Sequence, residues 1–319
     1  MGRVLVLGGK GFVGSHLIDA LLNSRASVRC FDRPDPAKTA EILKWSGLTR
    51  DFELCEGDFL NEGDLKNALN GCDVCFHLIS TTIPSSSNAD PVFDIQTNLA
   101  GTVRFLELAV ETGVKKIIFM SSGGTVYGIP KIIPINEEHP TEPICSYGIT
   151  KLAIEKYLNL FHHLYGLDYR VLRVSNLYGE RQRIRSSQGA VAVFLGKAIR
   201  NETIEIWGNG SVVRDYIYIG DVIDALMKVM NYEGETRIFN IGSGEGKSLN
   251  DVISAIEALL GRKVSKKFLA PRKFDVPVNI LSIELAKREL GWEPKVGFEE
   301  GLRRFANWML ESVFLEEGQ

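Results

Sequence analysis

Two residues of complementary chemistry stand one helical turn apart in Ser146-Tyr147-Gly148-Ile149-Thr150-Lys151. At i and i+4 the phenol of Tyr147 and the ammonium of Lys151 share one face of a helix. A tyrosine of pKa ~10 is a poor base at neutral pH, and lowering it to ~7 takes about 4 kcal/mol of preferential stabilisation of the phenolate. A neighbouring ammonium and a second positive charge can together supply that in a water-poor site. Upstream, the apolar run from Lys116 to Met120 ends in Ser121-Ser122-Gly123-Gly124-Thr125, so hydroxyls emerge at the carboxyl end of a strand. The pair suits general-base chemistry.

A second constellation opens the chain. The run Val4 to Leu7 leads directly into Gly8-Gly9-Lys10-Gly11-Phe12-Val13-Gly14 and then a helical pattern, so Gly8, Gly11 and Gly14 form G-x-x-G-x-x-G between strand and helix. Glycine permits the tight turn and lets backbone N–H groups at the helix N-terminus approach a pyrophosphate. The next strand ends at Asp32, where a carboxylate accepts from both ribose hydroxyls and repels a 2′-phosphate. NAD is therefore favoured over NADP, although Arg33 follows at once and would attract such a phosphate. Gly57-Asp58-Phe59 closes the third strand, and Asp58 there can bond an adenine amino group. An oxidised nicotinamide is the second positive charge that Tyr147 requires.

The elements that must position these groups follow from periodicity. Short apolar runs alternate with longer amphipathic stretches, the pattern of βαβ units and a doubly wound parallel α/β sheet of Rossmann type. Strands are predicted at Val4 to Leu7, Ser27 to Asp32, Phe52 to Glu56, Asp73 to Ile79, Lys116 to Ser121 and Tyr169 to Val174. Helices are predicted at Gly11 to Asn23, Asn61 to Asn70, Pro91 to Thr112 and Ser146 to Tyr165. Beyond about residue 175 shorter strands (Ile204 to Trp207, Arg237 to Asn240, Lys266 to Leu269) indicate a smaller lobe, with the stretch Gly208 to Tyr216 reading as turn-rich. Residues 1–175 are thus read as the NAD-binding domain and 176–319 mainly as a substrate lobe. The cleft beyond the carboxyl ends of the strands is where a ligand belongs.

Composition narrows the partners. The 319 residues are 45% apolar, and 37 Lys plus Arg against 40 Asp plus Glu leave a formal charge of −3, so no surface for polyanions such as nucleic acid is visible. No stretch approaches the ~20 apolar residues of a membrane span. Five cysteines, an odd number, fit a reducing cytoplasm better than a disulfide framework. Cys72 and Cys75 form C-x-x-C, but no second ligand pair follows, and the segment reads as a turn feeding a buried strand rather than a metal site.

With Ser121-Ser122-Gly123-Gly124-Thr125-Val126-Tyr127-Gly128, Val74 to Leu78, Asn98-Leu99-Ala100-Gly101-Thr102, Leu172 to Gly179, and Val213 to Ile219 with Asp221, the chain resembles the extended short-chain dehydrogenase/reductase superfamily, in its NAD-dependent sugar-nucleotide epimerase/dehydratase branch. The resemblance implies that Tyr147 is the base and Lys151 the residue that lowers its pKa and bonds the nicotinamide ribose. It further implies NAD contacts from Gly8, Gly11, Phe12, Val13, Gly14, Asp32, Arg33, Asp58, Phe59, Leu78, Ser80, Asn98 and Ser121, as well as from Tyr147 and Lys151 themselves. For a UDP-sugar it implies Asn176 and the arginines Arg214 and Arg272 on the diphosphate and Trp207 stacked on the base. Forked guanidinium donors suit a dianionic diphosphate.

Departures from the family pattern direct the choice of reaction. The usual serine or threonine that bonds the reacting hydroxyl falls at Gly123, leaving Ser122 and Thr125 as candidates, and P-x-S-x-Y has become Pro143-Ile144-Cys145-Ser146-Tyr147. The Asp-Glu pair of dehydratases is replaced by Gly124 and Thr125, which disfavours elimination. The resemblance therefore implies epimerisation at C4 of a UDP-hexose, with UDP-glucuronate epimerisation, dehydration or decarboxylation, and net reduction as alternatives. Asn279, standing where some relatives carry a bulky tyrosine, would admit an N-acetyl group, and Arg183 resembles an arginine that binds a glucuronate carboxylate. Relatives also return a helix and strand near 211–242 to the first lobe, and pair the helices Pro91 to Thr112 and Ser146 to Tyr165 into a homodimer.

Overall fold

The computed structural model describes residues 2–46, 51–182, 189–272 and 276–317. Its strands are β1 (Arg3–Leu7), β2 (Val28–Asp32), β3 (Phe52–Glu56), β4 (Cys72–His77), β5 (Lys116–Ser122), β6 (Asp168–Val174) and β7 (Asn176–Tyr178). They continue as β8 (Ile204–Trp207), β9 (Val213–Tyr218), β10 (Ile238–Ile241), β11 (Gly246–Ser248), β12 (Lys266–Leu269) and β13 (Val278–Asn279). Seven form one sheet in the order β3-β2-β1-β4-β5-β6-β10, every pairing parallel. All carboxyl ends therefore point the same way, which gathers Gly8, Asp32, Leu78, Ser122 and Ser175 along one edge.

Strand alternation sends successive side chains to opposite faces. Val4 and Val6 of β1 pack with Leu17 and Leu21 of the helix Phe12–Asn23 and Val222 and Leu226 of the helix Ile219–Met230. Leu5 and Leu7 pack on the other face with Leu65, Phe105, Leu106, Ile154 and Leu158, from the helices Glu62–Leu69, Gly101–Glu111 and Ser146–Tyr165. Both faces are dry, as a parallel sheet requires. A smaller sheet, β11-β9-β13 with β7 beside β9, and the pair β8-β12 make the rest.

The stretch expected as one helix from Pro91 to Thr112 is an α-turn (Pro91–Asp94), a π-helical segment (Ile95–Ala100) and an α-helix (Gly101–Glu111). Hydroxyls compete with the ladder there, Thr97 Oγ1 donating to Phe93 O at 2.7 Å and Thr102 Oγ1 to Asn98 O at 2.5 Å. Turn residues do occupy 208–210, but Val213 to Tyr218 is a strand in the middle of the smaller sheet. Helices Pro36–Ser46 and Pro84–Ala89 were not legible in the pattern. Of residues 211–242, the helix Ile219–Met230 and β10 lie on the large sheet while β9 lies on the small one. No described helix is long and apolar enough to cross a membrane. The described residues contain no metal-ligating cluster, and Cys72 and Cys75 are buried free thiols in β4.

Candidate active site

At the amino end, β1 turns through Gly8 at φ +82° into the helix beginning at Phe12. A Cβ on Gly14 would lie 2.3 Å from Gly8 O, so only glycine allows the turn and helix to pack. Gly11 places no side chain over the helix N-terminus, leaving its orphan N–H groups available to an anion. Both Asp32 oxygens are aimed by backbone, Oδ2 accepting from Lys10 N and Oδ1 from Arg33 N, each at 2.9 Å. A carboxylate retains further lone pairs for ribose hydroxyls. Lys10 itself is buried with its ammonium on Glu56 and on Thr39 Oγ1 at 2.7 Å. That bond to Lys10, with Thr39 assisting, holds the Glu56 carboxyl below the ordinary range. This end fits a dinucleotide.

Asp58 is exposed and spends one oxygen on Leu60 N at 2.9 Å. Phe59 is buried against the His77 ring, 5.3 Å between centroids. Leu78 N donates to Leu7 O, extending β4, and Ser80 Oγ donates to Thr82 O at 3.0 Å. Asn98, in the π-helical segment, is committed to the same loop: its Oδ1 accepts from Thr81 N at 2.9 Å and its Nδ2 donates to Thr81 and Thr82 hydroxyls.

At the other end, Tyr147 occupies the first turn of the helix Ser146–Tyr165, and Lys151 lies one turn on, its Nζ 5.5 Å from the centre of the Tyr147 ring. Lys151 is 5% exposed, donates to Met120 O at 3.1 Å and sits 4.7 Å over the Phe119 ring. Burial pushes the ammonium down to about 8, against the opposing pull of Asp94 and Glu155. Burial also pushes the Tyr147 phenol up to about 12, with Ser80 pulling the other way. Beneath them, burial and then the charge on Lys151 lower His77 to about 3, so it is a neutral ring bonded to Thr102 Oγ1 at 2.8 Å. The chain alone thus supplies the cation but not a depressed phenol.

The hydroxyls after β5 divide. Ser121 Oγ is bonded to Glu155 Oε1 at 2.5 Å, and Glu155 is paired with Arg173 at 2.6 Å, both nearly inaccessible. Ser122 Oγ and Asn176 Nδ2 flank one opening, each 3.9 Å from where a Gly124 Cβ would stand. Thr125 Oγ1 is buried with no hydrogen-bond partner among the described residues. Gly123 is glycine for a visible reason: a Cβ there would meet Leu281 Cδ1 at 2.5 Å and Arg173 O at 3.0 Å. Gly123→Ser should therefore lower stability by about 1–3 kcal/mol in thermal or urea unfolding rather than add a useful hydroxyl. Unchanged stability would mean that Leu281 yields freely.

The remaining candidates lie on the small sheet and its neighbours. Asn176 Nδ2 donates to Asp215 O at 3.4 Å. Asp215, wholly buried, accepts from Ser175 Oγ, Ser243 N and Oγ, Gly244 N and Leu281 N, joining both sheets. Arg214 Nη1 donates to Val276 O at 2.5 Å. The Arg272 guanidinium lies 5.7 Å over the Trp207 ring, and Trp207 is 42% exposed. Asn279 stands beside Arg214 in register but is fully buried, with Nδ2 on Gly123 O at 3.1 Å and Oδ1 without a partner among the described residues. Arg183 lies outside the described residues. The helix Phe12–Asn23 is tied to the loop after β7 through His16 Nε2 on Glu180 O at 2.9 Å and Asp19 on Arg181 at 2.6 Å.

Sequence reasoning did not single out Asp94, Ser87, Glu155 or Arg173, all of which contact this region. Spacing alone offered a hint for two of them: Glu155 follows Lys151 by four positions, and Asp94 precedes Asn98 by four.

A glycine-turned helix N-terminus and a Tyr-Lys turn at the same edge of this sheet make the molecule a dinucleotide-dependent enzyme of short-chain dehydrogenase/reductase type. The NAD dependent epimerase/dehydratase family matches residues 4–242, and the chain belongs to it, with NAD as cofactor. It is 36% identical over 304 residues to a UDP-glucose 4-epimerase of Mycolicibacterium smegmatis, spanning 95% of this chain and 96% of that one. It is 35% identical over 300 residues to a dTDP-4-dehydro-6-deoxyglucose reductase of Escherichia coli, spanning 94% and 95%. A crystal structure of UDP-glucose 4-epimerase with UDP-glucose from Thermotoga maritima superposes with a TM-score of 0.90 at 35% identity, spanning 98% and 99%.

Proposed function

We propose that the protein inverts C4 of a UDP-hexose, either UDP-glucose/galactose or UDP-GlcNAc/GalNAc. The observation that carries this reading is the Tyr147-Lys151 turn at the cofactor edge with Gly124 and Thr125, not two carboxyl groups, beside it. Tyr147 removes the proton from the C4 hydroxyl and returns it at the end. Lys151 keeps an ammonium beside the phenol, and Ser122 or Thr125 bonds the reacting oxygen. NAD, when bound, supplies a hydride acceptor and donor, and its positive ring favours the phenolate that burial opposes. Gly8, Gly11, Gly14 and Asp32 would hold it. Asn176, Arg214 and Arg272 hold the diphosphate, and Trp207 stacks on the base. The absence of the Asp-Glu pair from positions 124 and 125 disfavours elimination, which needs an acid and a base beyond the tyrosine.

The test is isotopic. With UDP-glucose deuterated at C4, the inverted product should keep the label through many turnovers without added NAD; loss of deuterium, or a stoichiometric need for cofactor, would show net redox chemistry as in the reductase relative.

We further propose a homodimer. Ile149, Tyr157, Leu160 and Leu164 are exposed on the helix Ser146–Tyr165, beside exposed Val92, Phe93 and Ile95, an apolar face that a second copy would cover. Light scattering at micromolar concentration should give twice the chain mass, and Leu160→Glu should give the monomer. A monomeric parent would refute the assembly. We also propose a cytoplasmic setting, which the odd count of five cysteines supports.

A further inference from the structure

The helix that carries Tyr147 and Lys151 begins with only a thiol at its N-cap. That residue is Cys145, a weak sulfur acceptor facing Gly148 N, where Ser, Thr, Asp or Asn would ordinarily cap, and it leaves the N–H groups of Ser146 and Tyr147 to other partners. These two donors are satisfied from another segment. Ser146 N donates to Asn88 Oδ1 at 2.9 Å, and Tyr147 N donates to Ser87 Oγ at 3.0 Å. Ser87 is wholly buried and its own hydroxyl hydrogen is spent on Pro84 O at 3.1 Å, so its oxygen is fixed as an acceptor.

Asp94 completes the arrangement. It is wholly inaccessible. Its Oδ2 accepts from Ser146 Oγ and Thr150 Oγ1, both at 2.8 Å, and its Oδ1 from Thr82 Oγ1 at 2.6 Å and Asn98 Nδ2 at 2.9 Å. Ser146 adjoins Tyr147 and Thr150 adjoins Lys151, so one carboxylate fixes the turn that spaces the reactive pair, and ties it to the loop beside the phenol. A buried carboxylate with four donors is strongly held, and removing its charge leaves those donors poorly matched.

We propose that Ser87 and Asp94 are positioning residues for Tyr147 and Lys151: Ser87 supplies, from another segment of the chain, the acceptor that the Cys145 thiol does not give Tyr147 N, and Asp94 holds the side chains that flank the reactive pair. The kinetic side of this rests on the 4-epimerase reading; the structural side does not.

The test uses the full chain with NAD bound. Ser87→Ala should lower kcat for C4 inversion about tenfold, with KM within about twofold, and move the rising limb of the pH–rate profile upward, because the phenol is no longer held against the ammonium. Adding Cys145→Ser returns an acceptor to the first turn and should restore kcat to within about threefold. Asp94→Asn should cost about a hundredfold and should not be rescued by Cys145→Ser, since Asp94 holds side chains rather than the orphan N–H groups. If Asp94→Asn fails to fold, Ser146→Ala with Thr150→Val removes the same two bonds and should reproduce the loss. Parental kcat and pH profile in Ser87→Ala, or no rescue by Cys145→Ser, would overturn the proposal. If the parent inverts no sugar, the epimerase reading fails by itself. Amide exchange at Tyr147 then decides: faster in Ser87→Ala and slowed again by Cys145→Ser supports the cap, and unchanged exchange overturns it.

Discussion

Tyr147→Phe is expected to lower C4 inversion by at least about a thousandfold while leaving NAD bound. The substitution deletes one oxygen. The ring keeps its place 5.5 Å from Lys151 Nζ, and the backbone bond to Ser87 does not involve the phenol. The glycine turn and Asp32 are untouched, so cofactor content measured on the purified variant should equal that of the parent. Product formation followed by NMR supplies the rate. Retained turnover would remove Tyr147 from the reaction; loss of both turnover and NAD would mean that the change acted through the fold.

Lys151→Met should do two opposite things: lower inversion by about a hundredfold or more and stabilise the protein. A lysine 5% exposed, with its ammonium pushed down to about 8 from 10.5, is carried at neutral pH at a cost of about 3 kcal/mol. Losing the bond to Met120 O and the contact with Phe119 offsets part of this, leaving a gain of about 1–2 kcal/mol. The sign follows from proton counting. Between pH 8 and 10.5 the unfolded chain holds the Lys151 proton more tightly than the folded one, so this residue's contribution to stability rises with pH across that window. Melting curves of cofactor-stripped parent and variant should therefore differ most near pH 7 and converge as pH climbs past 8. The tyrosines and cysteines whose values burial raises are common to both proteins and cancel in the difference. A variant less stable than the parent at pH 7 would show that Lys151 is paired more strongly than its contacts indicate.

What the residue pattern revealed, and what it hid, divides by range. The glycine turn, Asp32 at the end of β2 and the Tyr147-Lys151 spacing depend on neighbours within a few positions, and all were legible. The parallel sheet was legible because its strands are buried on both faces and read as apolar runs. The partners of those groups were not. Asp94 reaches Ser146 and Thr150 across more than fifty positions, and Ser87 caps a helix sixty residues on. Nothing in either local stretch marks the pairing. Gly123 was visible only as a missing hydroxyl; its cause, Leu281 filling the space, lies on a distant segment. The strand Val213 to Tyr218 was masked by the glycines before it, and the π-helical turn at Ile95 to Ala100 by a periodicity that cannot separate π from α. Asn279 was read as a substrate-facing position, and the structure encloses it on Gly123 O.

These distant partners matter because the proposed chemistry needs a held geometry. Burial alone moves Tyr147 the wrong way for a base, up to about 12. The reaction must therefore obtain its phenolate from the positive charges of Lys151 and oxidised NAD, and such help falls steeply with distance.

The most direct measurement is proton NMR of the sugar after incubating the purified protein, without added cofactor, separately with UDP-glucose, UDP-GlcNAc and UDP-glucuronate. Inversion at C4 is expected for UDP-glucose or UDP-GlcNAc, reaching equilibrium from either epimer with no other product. No inversion of any of the three, or appearance of a dehydrated, decarboxylated or reduced sugar in its place, would contradict the assignment.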